Sequence, residues 1–133
     1  MRPERILVGE RGSSAVEFVF VGTLLTLLTL AVLQLALVVY VRNVVHDAAV
    51  EGAYYAALAD TGLQEGTQRA EHAIDRAIGE AYSEDVTVSR AGSPGHGTVV
   101  LRIRTTLPLV GLFGVPQALE VEGRAPEESF DDE

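Results

Sequence analysis

Apolar and polar positions fall into three regimes along the chain. From 18 to 41 there is no alternation: FVFVGTLLTLLTLAVLQLALVVYV runs uncharged for 24 residues between Glu17 and Arg42. Eight Leu, six Val and two Phe fill sixteen of those places. A helix of this length spans about 36 Å, enough to cross a hydrocarbon core of about 30 Å with some tilt. Helices buried in soluble proteins rarely stay apolar on every side for so long, and the remaining chain is too small to wrap one. A cleaved secretory signal has a shorter apolar core, about 7–15 residues, ending at a small-residue site. The nearest such site, Ala57-Leu58-Ala59, lies far beyond the run. The run is therefore read as a transmembrane helix.

Beyond Arg42 the pattern becomes that of an amphipathic helix. Apolar or small residues recur in steps of three and four at Val41, Val44, Val45, Ala48, Gly52, Tyr55, Ala56 and Ala59, while Arg42, His46, Asp47, Glu51 and Tyr54 occupy other faces. No proline occurs from Glu4 through Ser93. One helix is predicted over about 14–59, its lower half in lipid and its upper half in water. Alanines at 48, 49, 53, 56, 57 and 59 would let other backbones approach closely. Asp60-Thr61-Gly62 predicts the stop, since Gly commonly ends helices. Thr61-Gly62-Leu63-Gln64 fits a capping box for a second helix, with Gly66-Thr67 as an alternative start. That helix carries Leu63, Ala70, Ile74, Ala77, Ile78 and Ala81 on one side, expected to pack on the upper part of the first helix. On its other side Glu65 and Arg69 form a favourable i,i+4 pair.

After Tyr82 the period changes to two. Val86-Thr87-Val88 predicts a short strand, and 91–97 (AGSPGHG) a hairpin loop. Over 98–107, Val99, Leu101, Ile103 and Leu107 face one way, and Val100, Arg102, Arg104 and Thr106 the other. Leu119 and Val121 alternate with Glu120 and Glu122 in a third strand. Strands near 98–107 and 118–124 are expected to pair antiparallel across a 108–117 loop, with partner numbers summing to 224. Arg102 then meets Glu122, Arg104 meets Glu120, and Ile103 and Val121 point together toward the helices. A one-residue slip would turn Leu119 and Val121 outward. Residues 126–133, with five acids and one aromatic, read as a solvated, disordered tail. The predicted fold class is membrane-anchored α+β: a long helix, transmembrane in its lower half, a second amphipathic helix, and a small antiparallel sheet of about three strands outside the membrane. The divisions are a basic leader (1–12), the long helix (13–60), the small outer domain (61–125) and the tail.

Charge orients this arrangement. The chain has ten Arg, no Lys and 19 acidic residues, a net charge of −9. That balance disfavours nucleic acid, which needs a basic footprint. The absence of Cys excludes disulfides, thiolate metal sites and Cys nucleophiles. Arg2, Arg5 and Arg11 precede the span and only Arg42 follows it closely. The positive-inside rule then places the N-terminus in the cytoplasm and residues 43–133 outside. His46, His72 and His96 lie apart, without ligand spacing, and are read as solvated, as is the Asp47/Glu51 pair. Ser13 and Ser14 have no base nearby. Thr23, Thr26 and Gln34 could bond between helices, or the threonines back to their own helix. No enzyme, metal or cofactor is predicted.

The densest chemistry lies at the membrane edge, in Arg11-Gly12-Ser13-Ser14-Ala15-Val16-Glu17-Phe18. A carboxylate at the start of a membrane helix is costly unless it snorkels or is paired. Snorkelling explains Glu17 adequately. If instead the chain is cut after Gly12, Ser13 becomes the first residue and Glu17 the fifth. A new ammonium then lies at the depth of the Glu17 carboxylates of neighbouring copies, and an amine–carboxylate pair would set the axial offset between helices. This arrangement resembles that of type IV prepilins and pseudopilins, and more narrowly the TadE-like family of tight-adherence (Flp) pilus systems. Members typically begin R-G-x-x-A-V-E-F and carry A-x-E-G-A-R-A-A just outside the membrane. Here the second motif reads Ala49-Val50-Glu51-Gly52-Ala53-Tyr54-Tyr55-Ala56, with Tyr54 where the family often has Arg.

The resemblance implies a pseudopilin or minor pilin-like subunit. It would be processed between Gly12 and Ser13 by a membrane prepilin peptidase and held in the bacterial cytoplasmic membrane or built into a pilus or secretion fibre. Its implied partners are the bilayer, the peptidase, other pilin-like subunits in a homo- or hetero-oligomer, and the pilus assembly platform. The alternative is an uncleaved, single-pass signal-anchored protein whose small outer domain binds a partner.

Overall fold

The computed structural model describes residues 10–58, 60–93, 96–108 and 114–128. Helix α1, Glu10–Ala57, is 48 residues long, and α2 is Leu63–Ala77. A 3₁₀ turn, Glu80–Tyr82, leads into β1 (Asp85–Ala91), β2 (Thr98–Pro108) and β3 (Gly114–Pro126). The strands form one antiparallel sheet in the order β1-β2-β3. The expected fold class holds. Within it, α1 begins earlier and ends earlier than 14–59, and Ala59 lies outside the described residues, as do 1–9 of the leader and 129–133 of the tail.

The two halves of α1 meet different surroundings. Only 6% of its most apolar stretch is buried, which is unlike the core helix of a soluble protein. Phe18, Leu24, Leu28, Leu33 and Leu35 are all more than half exposed. The hydroxyls of Thr23, Thr26 and Thr29 donate to the carbonyls of Val19, Gly22 and Leu25 at 2.8–2.9 Å, so this helix satisfies them internally. From Val41 upward, α1 instead buries Val41, Val45, Ala48, Ala49, Ala53, Ala56 and Ala57. Tyr55, expected on that face, is exposed.

Small residues set how close the elements lie. A Cβ on Gly66 of α2 would stand 2.5 Å from the Gly52 carbonyl oxygen of α1 and would overlap the Ala56 side chain. One on Gly52 would meet the Gly66 carbonyl oxygen at 2.7 Å and the Ala70 Cβ at 2.9 Å. From Gly66 to Ala70, α2 therefore runs down α1, backbone against backbone. A Cβ on Gly123 would fall inside the Ala49 carbonyl, so β3 crosses α1 equally closely. Around these contacts Ile74, Val99, Leu101, Ile103 and Val121 close a core between the helices and the inner sheet face. Each large aliphatic there stabilises by about 1.5–3 kcal/mol.

The ends of the helices show what terminates them. Thr61, expected to cap α2, instead turns back: its hydroxyl donates to the carbonyls of Tyr55 and Leu58, and its amide to Leu58 at 3.3 Å. The amide of Glu128 takes the Ala57 carbonyl at 3.0 Å. Orphan carbonyls at the end of α1 are thus satisfied from both sides. Helix α2 starts at Leu63, with the Gly62 amide donating to the Glu65 carboxylate at 3.2 Å. Glu65 is therefore a cap, and Arg69 pairs with Glu51 of α1 at 2.7 Å, while its guanidinium lies 5.7 Å over the Tyr55 ring. The buried line of α2 is Gly66, Ala70 and Ile74. Ala77 and Ala81 are exposed, because the helix ends at Ala77 and turns through Gly79, at φ 101°, a conformation that favours glycine.

The sheet register is the expected one over its upper part. Arg102 pairs with Glu122, Ile103 with Val121 and Arg104 with Glu120. Arg102 Nε donates to Glu122 at 2.9 Å, Arg104 Nε to Glu120 at 2.7 Å, and Arg124 bonds Glu122 at 2.9 Å. All three strands are longer than expected. Thr105 continues the inward phase, and the pairing resumes at Leu107–Val115 and Pro108–Gly114 after an irregularity. There β3 spends two extra residues opposite Thr106, around Pro116, which cannot donate to a ladder, and Gln117, at φ 54°. Of the expected 108–117 loop, Pro108 and 114–117 belong to strands, and 109–113 lie outside the described residues. The start of the expected tail is docked: the Glu127 amide donates to the Gly97 carbonyl at 2.9 Å, and its carboxylate meets Arg90 at 3.0 Å.

Two expectations follow. Gly123→Ala should destabilise the packing of the sheet and α2 on the upper half of α1 by about 1–3 kcal/mol, since overpacking forces the backbones apart. Gly62→Ala, with open space around it, should be nearly neutral in the same thermal melts of detergent-solubilised protein. The second concerns acid. Hydrogen bonds from Arg102 and then Arg124 hold the Glu122 carboxyl below its ordinary range, and Glu122 raises Arg102 in return. A depressed carboxyl stabilises fully above its unfolded pKa, and that contribution is lost as pH falls through the folded value. Glu122→Gln should lower the melting midpoint at neutral pH, and the gap to the parent should close below about pH 4.

Candidate processing and assembly site

The residues singled out at the membrane edge lie in the first turns of α1. Gly12 and Ser13 are inside the helix Glu10–Ala57, so the bond between them is helical in the intact chain. Residues 12–20 are all exposed, and no side chain comes within 4 Å of where a Cβ on Gly12 would stand. The face is open to an enzyme or to a neighbouring helix. Glycine costs about 1 kcal/mol relative to alanine within a helix, and here it sits in a terminal turn, where unwinding is easiest.

Ser13 and Glu17 are four residues apart and therefore stack on one face of α1. Glu17 is exposed, and no ion pair to it is formed among the described residues. If Ser13 became the first residue, Glu17 would lie in the second turn of a new helix, close to the positive end of its dipole. The start of α1 would then present an ammonium and a carboxylate one turn apart, just before 24 uncharged residues.

The second sequence segment, 49–56, has another task. Ala49, Gly52, Ala53 and Ala56 are the surface on which β3 and α2 pack, and Glu51 is the partner of Arg69. Tyr54 points to solvent. Gly66 and Gly123 answer this surface, two contacts that apolar periodicity does not mark. A lone glycine within a strand pattern signals close backbone approach, and Gly123 carries that signal. His72 and His96 are exposed, and His46 lies 3.9 Å from Asp47. No group of three His, Cys, Asp or Glu side chains converges on a metal-sized site among the described residues.

Residues 12–53 match the family model described as TadE-like protein. The match begins at Gly12, takes in Glu17 and the uncharged run, and ends one residue past Gly52. No curated protein and no solved structure matches the chain. Helix α2 and the sheet lie outside the family match. Over residues 12–53, which form most of its long amino-terminal helix, the chain is similar to the TadE-like family.

Proposed function

We propose that the chain is a pseudopilin or minor pilin-like structural subunit of a tight-adherence, type IV-like pilus or secretion apparatus, with no catalytic role of its own. It is anchored by residues 18–41 in the cytoplasmic membrane, N-terminus inside, with α2 and the sheet outside. The observation that carries this reading is the placement of Gly12, Ser13 and Glu17 directly before the uncharged run, within the TadE-like match.

In this reading a prepilin peptidase hydrolyses the Gly12–Ser13 bond. Water adds across it, leaving a carboxylate on Gly12 and an amine on Ser13. With an ordinary pKa of about 7.7–8.0, that amine is mostly an ammonium at neutral pH. It opposes the positive end of its own helix dipole, so it gains from a carboxylate at the same depth. Glu17 of an adjacent subunit supplies one, and pairing offsets the desolvation of both groups at the lipid boundary. Helix α1 then assembles side by side with others, and the outer unit fixed to its upper half is carried into the assembly. The unbroken helix through Gly12 and Ser13 favours a second reading, an uncut signal-anchored protein, because cleavage requires that turn to unwind first.

Mass spectrometry of the protein from its native host separates the two. A chain beginning at Ser13 is expected, and Gly12→Leu should abolish it. Full-length chain alone, with assembly intact, contradicts processing and leaves the anchor. Glu17→Gln should keep membrane insertion and processing while markedly reducing copurification with pilin-like partners. Unchanged copurification would mean that Glu17 only snorkels.

A further inference from the structure

Strand β3 climbs alongside α1. Its Gly123 abuts Ala49, and the amide of Glu128 bonds the Ala57 carbonyl. Five residues of extended chain, about 16 Å, thus accompany eight residues of helix, about 12 Å. Followed downward at that ratio, Glu120 lies about 7 Å below the level of Ala49, close above Arg42, which is about 10 Å below it. Val115, allowing for the two residues spent in the bulge, lies about 14 Å below. The paired end of the β2–β3 hairpin therefore passes the level at which α1 loses its last charge.

Two further observations agree. Coverage of α1 does not stop at Arg42: Val38 and Gln34, one and two turns lower, are half-buried, while Leu35 and Val39 are exposed. The charges of the hairpin stop at the matching level. Asp85, Arg104 and Glu120 form one rung across the three strands, and the fifteen residues between Arg104 and Glu120 carry none. Below that rung the described pairs are Thr105 with Leu119, Leu107 with Val115 and Pro108 with Gly114, all uncharged. Val115 is 45% exposed.

We propose that this hairpin end is seated in the outer leaflet beside α1, with lipid acyl chain and glycerol region as its partner. The inference rests on the reading of residues 18–41 as a membrane span. An uncharged sheet end held below Arg42 is continuous with the apolar surface of that span. The charged rung then marks the headgroup level, as Arg42 does on α1. The outer unit is thereby held at two points, α1 and the hairpin, and cannot swivel about the helix axis without withdrawing apolar surface from lipid.

The chain contains no Trp, so single tryptophans report depth. Full-length protein would be placed in phosphatidylcholine nanodiscs with and without lipid brominated near the glycerol end of the chain. Val115→Trp should be quenched to about the extent of Tyr40→Trp and should emit to the blue of Tyr54→Trp, which lies high on α1 and should not be quenched. Leu107→Trp, on the paired strand, provides a second reporter should Val115→Trp disturb the edge. Hairpin reporters that behave like Tyr54→Trp while Leu35→Trp, about 10 Å below Arg42, is quenched would overturn the proposal and leave the span standing. Failure of Leu35→Trp to be quenched would remove both. Blue-shifted hairpin reporters that are insensitive to brominated lipid until the protein is diluted into excess lipid would show a second copy covering this end, which also overturns it.

Discussion

Gly123 meets Ala49 backbone to backbone, and the outer unit takes its position from that contact. An alanine face on α1 buries little area by itself, so the upper helix could not hold a sheet through large side chains of its own. It compensates by closeness. With Gly52 against Gly66 and Gly123 against Ala49, the elements approach until Ile74, Leu101, Ile103 and Val121 reach across to one another. Dispersion between closely packed atoms is individually small and collectively large, and it falls steeply with separation. A single methyl at Gly123 or Gly66 therefore matters more than its volume suggests.

The same helix serves two solvents. Below Arg42 its side chains are large, exposed and suited to hydrocarbon, and its threonine hydroxyls are bonded within the helix. Above Arg42 the buried ones are small, and α2, β2 and β3 cover them. No helix break separates the halves, so force or displacement at the membrane end is transmitted directly to the sheet.

Much of this fold is legible in the sequence, for identifiable reasons. The register of β2 on β3 follows from Arg102 and Arg104 facing Glu120 and Glu122, because a slip would invert an alternating strand. The long helix follows from its uncharged run and the absence of proline. Periodicity failed where a residue had two possible partners. Glu65 could pair with Arg69 or cap α2, and it caps, leaving Arg69 to Glu51 on another element. Pro116 reads as a loop residue, yet the strand continues past it through a bulge. Residues 127–128 read as tail from their charge, although their amides complete backbone groups of Gly97 and Ala57. At the candidate site, the sequence singles out Gly12, Ser13 and Glu17 by their spacing before the uncharged run together with a family resemblance. Structure adds their helical placement and exposure. The chemistry proposed for them lies between chains and against lipid, which the fold of one chain does not express.

One uninterrupted helix, Glu10–Ala57, joins the uncharged run 18–41 to the unit built from α2 and the sheet. Hydrogen–deuterium exchange of the full chain in lipid nanodiscs tests it directly. Continuous slow exchange from about residue 18 through Ala57 is predicted, sheltered by lipid below Arg42 and by α2 and β3 above. Fast exchange around residues 41–44, between two protected segments, would place a hinge there and contradict it.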